Sequence, residues 1–328
     1  MKSLTQLSRR QVLAAGVVAA TPISMRLAAQ TVSDKPIKFI LPVGAGSGVD
    51  GITRAASNAL GKALGTSIVI ENQPGAGGVV GTNALTKSAP DGLTLSIVSN
   101  NHVIYPSVLK SLPFDPIKDI TPITVVGSTP MVLVVNSKFP AKNMKEFVAL
   151  LKANPGKYNY ASSGNGTILH LAAELMKDAT GTFATHIPYR GFGPMMADII
   201  GGQVDFGVGA LPAVIGQIKS GNLHAICIAS PQRALAAPDI PTAVEQGFPK
   251  YLVEGWFAAV GPAKMSVDSV RRIHAAVTTA FATDEVKAAM ARQGNTINIQ
   301  SPEASAAFFQ SELNKYAAIV KKAGIKPD

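Results

Sequence analysis

Two glycine-rich segments offer chemistry that comes from the backbone rather than from side chains. The segment 44–50 (GAGSGVD) follows the buried run KFILPV, and the segment 162–167 (SSGNGT) follows YNYA. Glycine has no Cβ atom, so backbone N–H groups there can approach a ligand closely. A helix that begins after each segment adds unpaired N–H donors and a partial positive charge. Each segment could therefore bind a carboxylate through its backbone alone, with no cationic side chain. If only one such segment were present, a simple turn of the chain would be the better interpretation.

The elements that must position these segments alternate between strand and helix patterns. Strands are predicted at 38–43 and 67–72 with a helix at 49–64 between them, and the same order returns after residue 132. This alternation predicts parallel βαβ units with helices on both faces of a sheet. In such sheets, ligands bind at the carboxyl ends of the strands. Because both glycine segments lie at predicted strand ends, we expect one from each half of the chain to contact the same ligand.

The domain organisation follows from two such αβ blocks and a final helical section. We predict one lobe from residues 30–133 together with 251–328, and a second lobe from residues 134–250. The predicted fold class is α/β, with two lobes that each contain a mainly parallel sheet flanked by helices. Crossover strands near 130–136 and 251–261 would connect the lobes, and the ligand cleft would lie between them.

The first thirty residues predict an export signal rather than part of the fold. A basic start that includes Arg9-Arg10 precedes the short apolar run Val12–Ala20, and small residues follow near Ala29. The apolar run is too short to span a bilayer, and this order is typical of a cleaved signal. The paired arginines resemble the twin-arginine export signal, although Val12 stands where that signal usually has Phe. We expect residues 1–29 to be removed and the exported chain to be soluble.

Composition and charge exclude several classes of protein. Hydrophobic residues make up 47% of the chain and charged residues 15%, which excludes disorder. The formal net charge of +10 falls to +6 without the four basic residues of the first thirty, and the other basic residues are scattered, so no nucleic-acid surface is predicted. Cys227 is the only cysteine, which leaves no intramolecular disulfide. His186, His224 and His274 lack partners at metal spacing. We therefore predict no metal site and no cofactor.

A nucleotide-binding enzyme is the alternative interpretation. Gly46–Gly51 satisfies the pattern G-x-G-x-x-G between a strand and a helix, and Glu71 lies twenty residues further on, as in the dinucleotide fingerprint. The extended residues Pro42–Ala45 weaken this interpretation, because the fingerprint requires its turn directly after the strand. The predicted export also removes the chain from nicotinamide cofactors. No G-x-S-x-G pattern and no Ser/His/acid set are evident, so no catalytic residue is predicted.

Several longer stretches of the chain resemble one family. They include VIENQPGAGGVVG (69–81), APDGLTL (89–95), NPGKYNYASSGNGTILHLAAELM (154–176), HIPYRG (186–191) and PDIPTAVEQGFPKY (238–251). Over residues 35–324 the chain is similar to the Bug proteins, the solute-binding components of tripartite tricarboxylate transporters. The resemblance implies a periplasmic location and a two-lobed type II periplasmic-binding-protein fold. It also implies one organic acid in the cleft, and membrane transporter subunits as partners.

The resemblance also suggests which residues bind the ligand. Family members hold the acid with the corner after the first strand and with the corner that corresponds to SSGNG, partly through water. Some roles stay open: Arg190 either pairs with a carboxylate or braces the cleft wall, and Asp50 either caps a helix or contacts the ligand. Trp256 either lines the cleft or fills the hinge. The full set of candidate ligand-binding residues is Val43, Ala45, Gly46, Ser47, Asp50, Asn100, His102, Ser163, Asn165, Gly166, Thr167, Tyr189, Arg190 and Ala210.

The chain departs from the family pattern at two places that bear on the ligand. Val49 replaces the hydroxyl residue that commonly precedes Asp50, although Ser47 supplies another hydroxyl. Residues 208–210 (Val-Gly-Ala) stand where many members have Phe-Asp-Asn, so a polar pair is missing. An amino-acid ligand would require a carboxylate side chain of the protein close to its ammonium group. We therefore predict a mono- or dicarboxylate without an ammonium group, either aromatic or aliphatic. We also predict that the protein is a monomer and not an enzyme.

Overall fold

The structure is a computed structural model, and it describes residues 35–327. The predicted export signal and its cleavage position lie outside these residues. Within residues 35–327, no helix combines the length and the apolar character that crossing a membrane requires.

Strands and helices alternate along the described residues, as the sequence pattern predicts. The strands are β1 (Ile37–Leu41), β2 (Ile68–Asn72), β3 (Thr94–Ser99), β4 (Ile120–Asn136), β5 (Asn159–Ser162), β6 (Thr185–Pro188), β7 (Phe206–Ala210), β8 (Leu223–Ile228), β9 (Glu254–Pro262) and β10 (Thr296–Ile297). The helices are α1 (Gly48–Leu64), α2 (Val79–Thr86), α3 (Asn101–Val108), α4 (Met144–Ala153), α5 (Ile168–Thr180), α6 (Phe192–Gly201), α7 (Leu211–Lys219), α8 (Val267–Ala282), α9 (Asp284–Gln293) and α10 (Pro302–Lys322). A 3-10 turn, Ala76–Gly78, precedes α2.

The first part of the sheet contains β1, β2, β3, β9, β10 and the first half of β4. β1 lies between β2 and β3 and runs parallel to both, which confirms the parallel units predicted for these strands. β9 pairs antiparallel with β3 on one side and with β4 on the other. β10 pairs antiparallel with β4 at Gly127 and Ser128. Helices α8 and α9 return to pack on α1, so the C-terminal section covers this first part of the sheet.

The second part of the sheet begins with the second half of β4. From Met131 onward β4 pairs antiparallel with β7 and β8, whereas β5 lies between β6 and β7 and runs parallel to both. Each part of the sheet is therefore mixed, although the sequence predicts mainly parallel sheets. The antiparallel pairs arise because β4 and β9 carry the chain between the two parts instead of closing βαβ units.

β4 is the element that connects the two parts, and it is longer than the sequence predicts. Its 17 residues are rich in Val, Ile and Thr, which pack well on a pleated surface. Only its second half reads as a strand in the sequence, because Pro122, Gly127 and Pro130 interrupt the first half. The pairing of β4 with β9 shifts register directly after Pro122, where the ring leaves no N–H for the ladder.

Two clusters of buried side chains hold the sheet and helices together. One includes Phe39, Leu60 and Ile273, and it joins α1 and α8 to the first part of the sheet. The larger cluster includes Phe147 and Phe206, whose rings meet edge to face with centroids 5.0 Å apart. Burying each large apolar side chain contributes about 1.5–3 kcal/mol. The larger cluster also contains residues of β4, α3 and α10, so the crossover region is part of the core.

Three helical features differ from the prediction. The sequence pattern does not predict α3 and α7, because both helices are short and contain a proline, Pro106 in α3 and Pro212 in α7. A single helix predicted over 267–293 is divided in two at Thr283. Thr283 has an extended backbone, and its hydroxyl accepts a hydrogen bond from the N–H of Val286 at 3.4 Å, so it caps α9.

The contact between α9 and α7 generates a stability prediction. Gly294 ends α9 with φ of 76°, and a Cβ there would lie 2.5 Å from Cδ2 of Leu211. We expect Gly294→Ala to lower the free energy of unfolding by about 2–5 kcal/mol, because backbone strain of ~1–2 kcal/mol adds to overpacking of ~1–3 kcal/mol. Urea unfolding measures the loss. Gly181→Ala is the matched control: Gly181 ends α5 with φ of 60° and open space around it, so only the strain should appear. Equal losses in both variants would contradict the packing argument.

Candidate ligand-binding site

A cavity of about 600 Å³ opens where strands of both parts of the sheet end. Ser47 and Gly48, which follow β1, line it together with residues 163–167, which follow β5. The connecting strands contribute Met131 from β4 and Trp256 from β9. The volume falls within the range of about 300–1,000 Å³ that is usual for small-molecule sites. The two glycine corners identified in the sequence thus line a shared cavity.

Six of the described helices begin at this cavity. The lining includes residues from the first turn or the N-cap of each: Gly48 for α1, Gly78 for α2, Asn101 for α3, Thr167 for α5, Phe192 for α6 and Ala210 for α7. The first N–H groups of a helix have no acceptor within the helix, and the helix dipole gives them a partial positive charge. Backbone groups alone therefore make the lining favourable for an anion.

The corner after β1 is held by the start of α1. Ser47 adopts an extended backbone, and its hydroxyl accepts a hydrogen bond from the N–H of Asp50 at 3.3 Å, which makes it the N-cap of the helix. Val43 and Ser47 line the cavity, as predicted. Ala45 and Gly46 do not line it; they are exposed on the outer side of the corner. The extended turn carries these two residues outward because Gly46 takes φ of 80°.

Asp50 braces the corner and does not line the cavity. Its carboxylate is buried and accepts hydrogen bonds from the N–H of Gly46 (3.0 Å), Nε of Arg54 (2.9 Å) and Nδ2 of Asn72 (2.9 Å). Burial raises the pKa of Asp50, but these hydrogen bonds and the charge of Arg54 outweigh it, so the pKa lies below its usual value. The ionised carboxylate therefore fixes the shape of the turn.

The corner after β5 is held in a similar way by the start of α5. Thr167 is the N-cap: its hydroxyl accepts from the N–H of His170 at 3.4 Å and donates to the carbonyl of Gly164 at 2.9 Å. Gly166 has φ of 68°, and a Cβ there would collide with Val108 of α3. Only glycine fits this position, because the backbone of the corner approaches α3 closely.

Two stacked histidines lie beneath this corner. The imidazole rings of His170 and His186 are nearly parallel, with centroids 3.9 Å apart. The N–H of Gly166 donates to Nδ1 of His170 at 3.0 Å. Nε2 of His186 lies 2.6 Å from the hydroxyl of Ser162, and that hydroxyl in turn accepts from the N–H of Gly164 at 3.2 Å. Both histidines therefore act on the backbone of the corner from below and position it.

A third glycine corner, residues 74–78 after β2, lines the cavity and is missing from the candidate residues. Asn101 joins it to α5: its Nδ2 donates to the carbonyl of Gly77 at 3.3 Å, and its Oδ1 accepts from the N–H of Ile168 at 2.8 Å. Tyr105 also donates to the carbonyl of Gly77, at 3.1 Å. The signal for this corner was present in the sequence, because QPGAGG follows a strand and precedes a helix as the other two corners do.

Asn100 and His102 were both candidate ligand-binding residues, but only Asn100 lines the cavity. Asn100 lines the cavity, but its amide is fully engaged: Nδ2 donates to Tyr316 (2.7 Å) and to the carbonyl of Glu254 (3.3 Å), and Oδ1 accepts from the N–H of Trp256 (2.9 Å). His102 does not line the cavity. It is 1% exposed, and its Nε2 donates to the carbonyl of Pro116 at 2.6 Å. The first turn of α3 directs His102 into the core.

The charged side chains that line the cavity are all of one sign. Among the described residues that line it, Arg190 is the only one with a charged side chain, and no Asp or Glu is present. Tyr189 lies beside Arg190, and its hydroxyl donates to Asp198 at 2.7 Å. Burial and this hydrogen bond raise the pKa of Tyr189 to about 12. Ala210 lines the cavity at the start of α7 and brings no polar side-chain group there.

Ten of the fourteen candidate residues therefore line the cavity, and four do not. Those that line it are Val43, Ser47, Asn100, Ser163, Asn165, Gly166, Thr167, Tyr189, Arg190 and Ala210. Trp256 lines it as well, and its indole N–H donates to the buried carboxylate of Glu312 on α10 at 2.8 Å, so it belongs to both the cavity and the connecting region.

Within the described residues, no group of three His, Cys, Asp or Glu side chains could hold a metal ion.

Comparisons with known proteins agree with this fold and site. Residues 52–325 match the family described as the tripartite tricarboxylate transporter family receptor. The chain is 34% identical to Protein BugT of Bordetella pertussis over 311 residues, which cover 94% of this chain and 95% of that protein. A solved structure of a periplasmic transporter shares 38% identity and a TM-score of 0.86, covering 90% of this chain and 99% of that chain. A structure of an R. palustris protein with adipate has 25% identity, the same TM-score and the same coverage.

The two-part sheet with a cavity at its strand ends defines a class, the two-lobed periplasmic solute-binding proteins. The chain belongs to the TctC family, the receptors of the tripartite tricarboxylate transporter family, to which its Bug relatives also belong. Both the family resemblance and the two-lobed α/β fold class predicted from the sequence are thereby confirmed.

The buried position of His102 predicts a pH dependence of stability. Burial lowers the pKa of His102 to about 4, against an ordinary 6.5, with the hydrogen bond to Pro116 acting in the opposite direction. The unfolded chain takes up this proton as the pH falls below 6.5, whereas the folded chain does so only near 4, so stability should decrease across that window by about 3 kcal/mol. His102→Gln keeps an N–H donor and should flatten this decrease in urea unfolding at pH 7 and pH 5. Identical pH dependence in both proteins would contradict the assignment.

Proposed function

We propose that this protein captures a small organic carboxylate, not an amino acid, between its two lobes and delivers it to the membrane subunits of a tripartite tricarboxylate-type transporter. The observation that carries the proposal is the cavity itself: six helix N-termini and Arg190 line it, and no acidic side chain lies among its described lining residues. Such a lining favours a negative charge and disfavours a positive one. The adipate bound to the R. palustris relative supports the same class of ligand.

The exclusion of amino acids rests on the missing counter-charge. An α-ammonium group buried without a carboxylate partner loses its hydration and gains nothing in return. At the start of α7 the chain presents the methyl group of Ala210, which cannot pair with an ammonium group. An acid without an ammonium group avoids this cost.

The mechanism we propose is closure of two lobes on the ligand. The lobes would be residues 30–133 with 251–328, and residues 134–250, connected through β4 and β9. Contacts between them surround the cavity: Asn101 to the N–H of Ile168 at 2.8 Å, and Gly166 against Val108. A ligand that contacts corners in both lobes stabilises the arrangement in which the lobes meet, and so shifts the population toward it. The closed form would then be recognised by the transporter.

We further propose that the protein is not an enzyme and that it acts in the periplasm as an exported, soluble monomer. The nucleotide-binding alternative loses its support, because Gly46 lies on the outer side of the corner and the carboxylate of Glu71 pairs with Lys38 at 3.4 Å. The pair of Ser162 and His186 does not suggest a nucleophile either. Ser162 is 0% exposed and its hydroxyl donates to the carbonyl of Gly164 at 3.0 Å. It braces the corner instead.

Matched ligands test the proposal. Isothermal titration should detect binding of at least one of hexanoate and adipate, and their α-amino counterparts, 2-aminohexanoate and 2-aminoadipate, should bind at least tenfold more weakly, because the ammonium group finds no partner. Equal or tighter binding of the amino acids would refute the exclusion.

A variant of Arg190 tests the role of the one charged group. Arg190→Gln should weaken binding of every acid that binds by about tenfold or more, since a charge-assisted hydrogen bond contributes about 1.5–3 kcal/mol. Arg233→Gln is the matched control, because Arg233 lies outside the cavity lining and pairs with Glu245 at 2.9 Å. If Arg190→Gln bound as the wild type does, Arg190 would be a wall residue only.

A further inference from the structure

Three aromatic residues that line the cavity have their polar atoms engaged within the protein. The hydroxyl of Tyr105 donates to the carbonyl of Gly77 at 3.1 Å, and that of Tyr189 donates to Asp198 at 2.7 Å. The indole N–H of Trp256 donates to Glu312 at 2.8 Å. Each of these hydrogen bonds satisfies the polar atom within the protein. A ligand in the cavity therefore finds these three donors already paired.

The side-chain amides at the α3 end of the cavity are engaged in the same way. Asn100 uses both donors and its oxygen on Glu254, Tyr316 and Trp256. Asn101 uses its amide on Gly77 and Ile168. Replacing such a partner by a ligand group would leave a buried backbone group unpaired, at a cost of about 1–3 kcal/mol. This end of the cavity thus offers a ligand little polar contact.

The rest of the lining away from the glycine corners is largely apolar. It includes Val108, Leu109, Met131, Leu169, Phe192 and Phe257. Arg190 supplies the only charge among the described lining residues, and about 600 Å³ is ample space for a body with rings or a long chain. The cavity therefore combines one anion-favouring region, at the glycine corners and Arg190, with a large apolar remainder.

We propose that the ligand is a monocarboxylate with a large apolar body, and that this chain selects it over dicarboxylates of the same length. The inference rests on the proposed function, because it assigns the carboxylate to the helix N-termini. The carboxylate occupies the glycine corners beside Arg190, and the body packs on the rings and aliphatic side chains. A second carboxylate would have to leave water among groups that are mainly apolar or already paired, which is costly, because Ser99 and Thr129 are the only further polar side chains among the described lining residues away from the corners. Each methylene placed there instead should raise the affinity about three- to fourfold.

Matched pairs of acids test this on the wild-type protein. Isothermal titration compares hexanoate with adipate and octanoate with suberate, which differ only in the terminal group, and adds 4-phenylbutanoate as a ring-bearing probe. We expect octanoate to bind about tenfold more tightly than hexanoate, each monoacid to bind at least tenfold more tightly than its diacid, and 4-phenylbutanoate to bind at least as tightly as hexanoate. Diacids that bind as tightly as the monoacids or more tightly would overturn this inference alone, whereas the absence of binding by every acid would overturn the proposed function as well.

A variant pair locates the apolar contact. Phe192→Ser removes a ring that lines the cavity at the start of α6, and it should reduce the gain in affinity from hexanoate to octanoate to less than threefold. Phe183→Ser is the control, because Phe183 is 56% exposed and lies outside the lining. Circular dichroism and thermal unfolding show whether each variant is folded. If a folded Phe192→Ser protein kept the full gain in affinity from hexanoate to octanoate, the ligand body would not pack on Phe192. If this variant did not fold, the matched acids measured on the wild type would test the proposal.

Discussion

Unpaired backbone N–H groups at the ends of helices are the interaction on which this architecture depends. The first N–H groups of a helix need acceptors outside the helix: cap side chains such as Ser47 and Thr167 supply some, and water or a ligand in the cavity must supply the rest. Here helices from both parts of the sheet start at the same cavity, so their partial charges add. The glycine corners allow this convergence, because side chains would separate the backbones, as the collision of a Cβ at Gly166 with Val108 shows.

Polar side chains around the site mainly hold the backbone in place. Asp50 with Arg54 and Asn72 fixes the corner after β1, and His170 with His186 fixes the corner after β5. A binding site made of backbone groups has no rotamers to order when the ligand arrives, which lowers the entropy cost of binding. Asp50, His170 and His186 thus support the backbone of the two corners.

Connection between the two lobes depends on β4 and β9, which run antiparallel to each other and contribute residues to the cavity wall. Trp256 on β9 lines the cavity and hydrogen-bonds Glu312 of α10, so the ligand site, the crossover and the C-terminal helix share one contact. A movement of one lobe against the other must be absorbed in these strands. Because β4 and β9 carry the chain from one lobe to the other, they do not run parallel to the strands of the βαβ units. The pairing in the sheet is therefore mixed.

Local patterns in the sequence determined the first three strands, helices α1 and α5, and the glycine corners at the strand ends, because a strand, a turn and a helix start are each specified by a few neighbouring residues. Only the tertiary structure decided which side chains face the cavity. Asn100 lines it with its amide engaged by Tyr316, 216 residues away, and His102 turns into the core beside Pro116. The family resemblance did not separate these cases, because the direction of a side chain is set by partners that are distant along the chain. Burial and long-range hydrogen bonds thus assigned the roles, and the sequence determined the backbone on which they are placed.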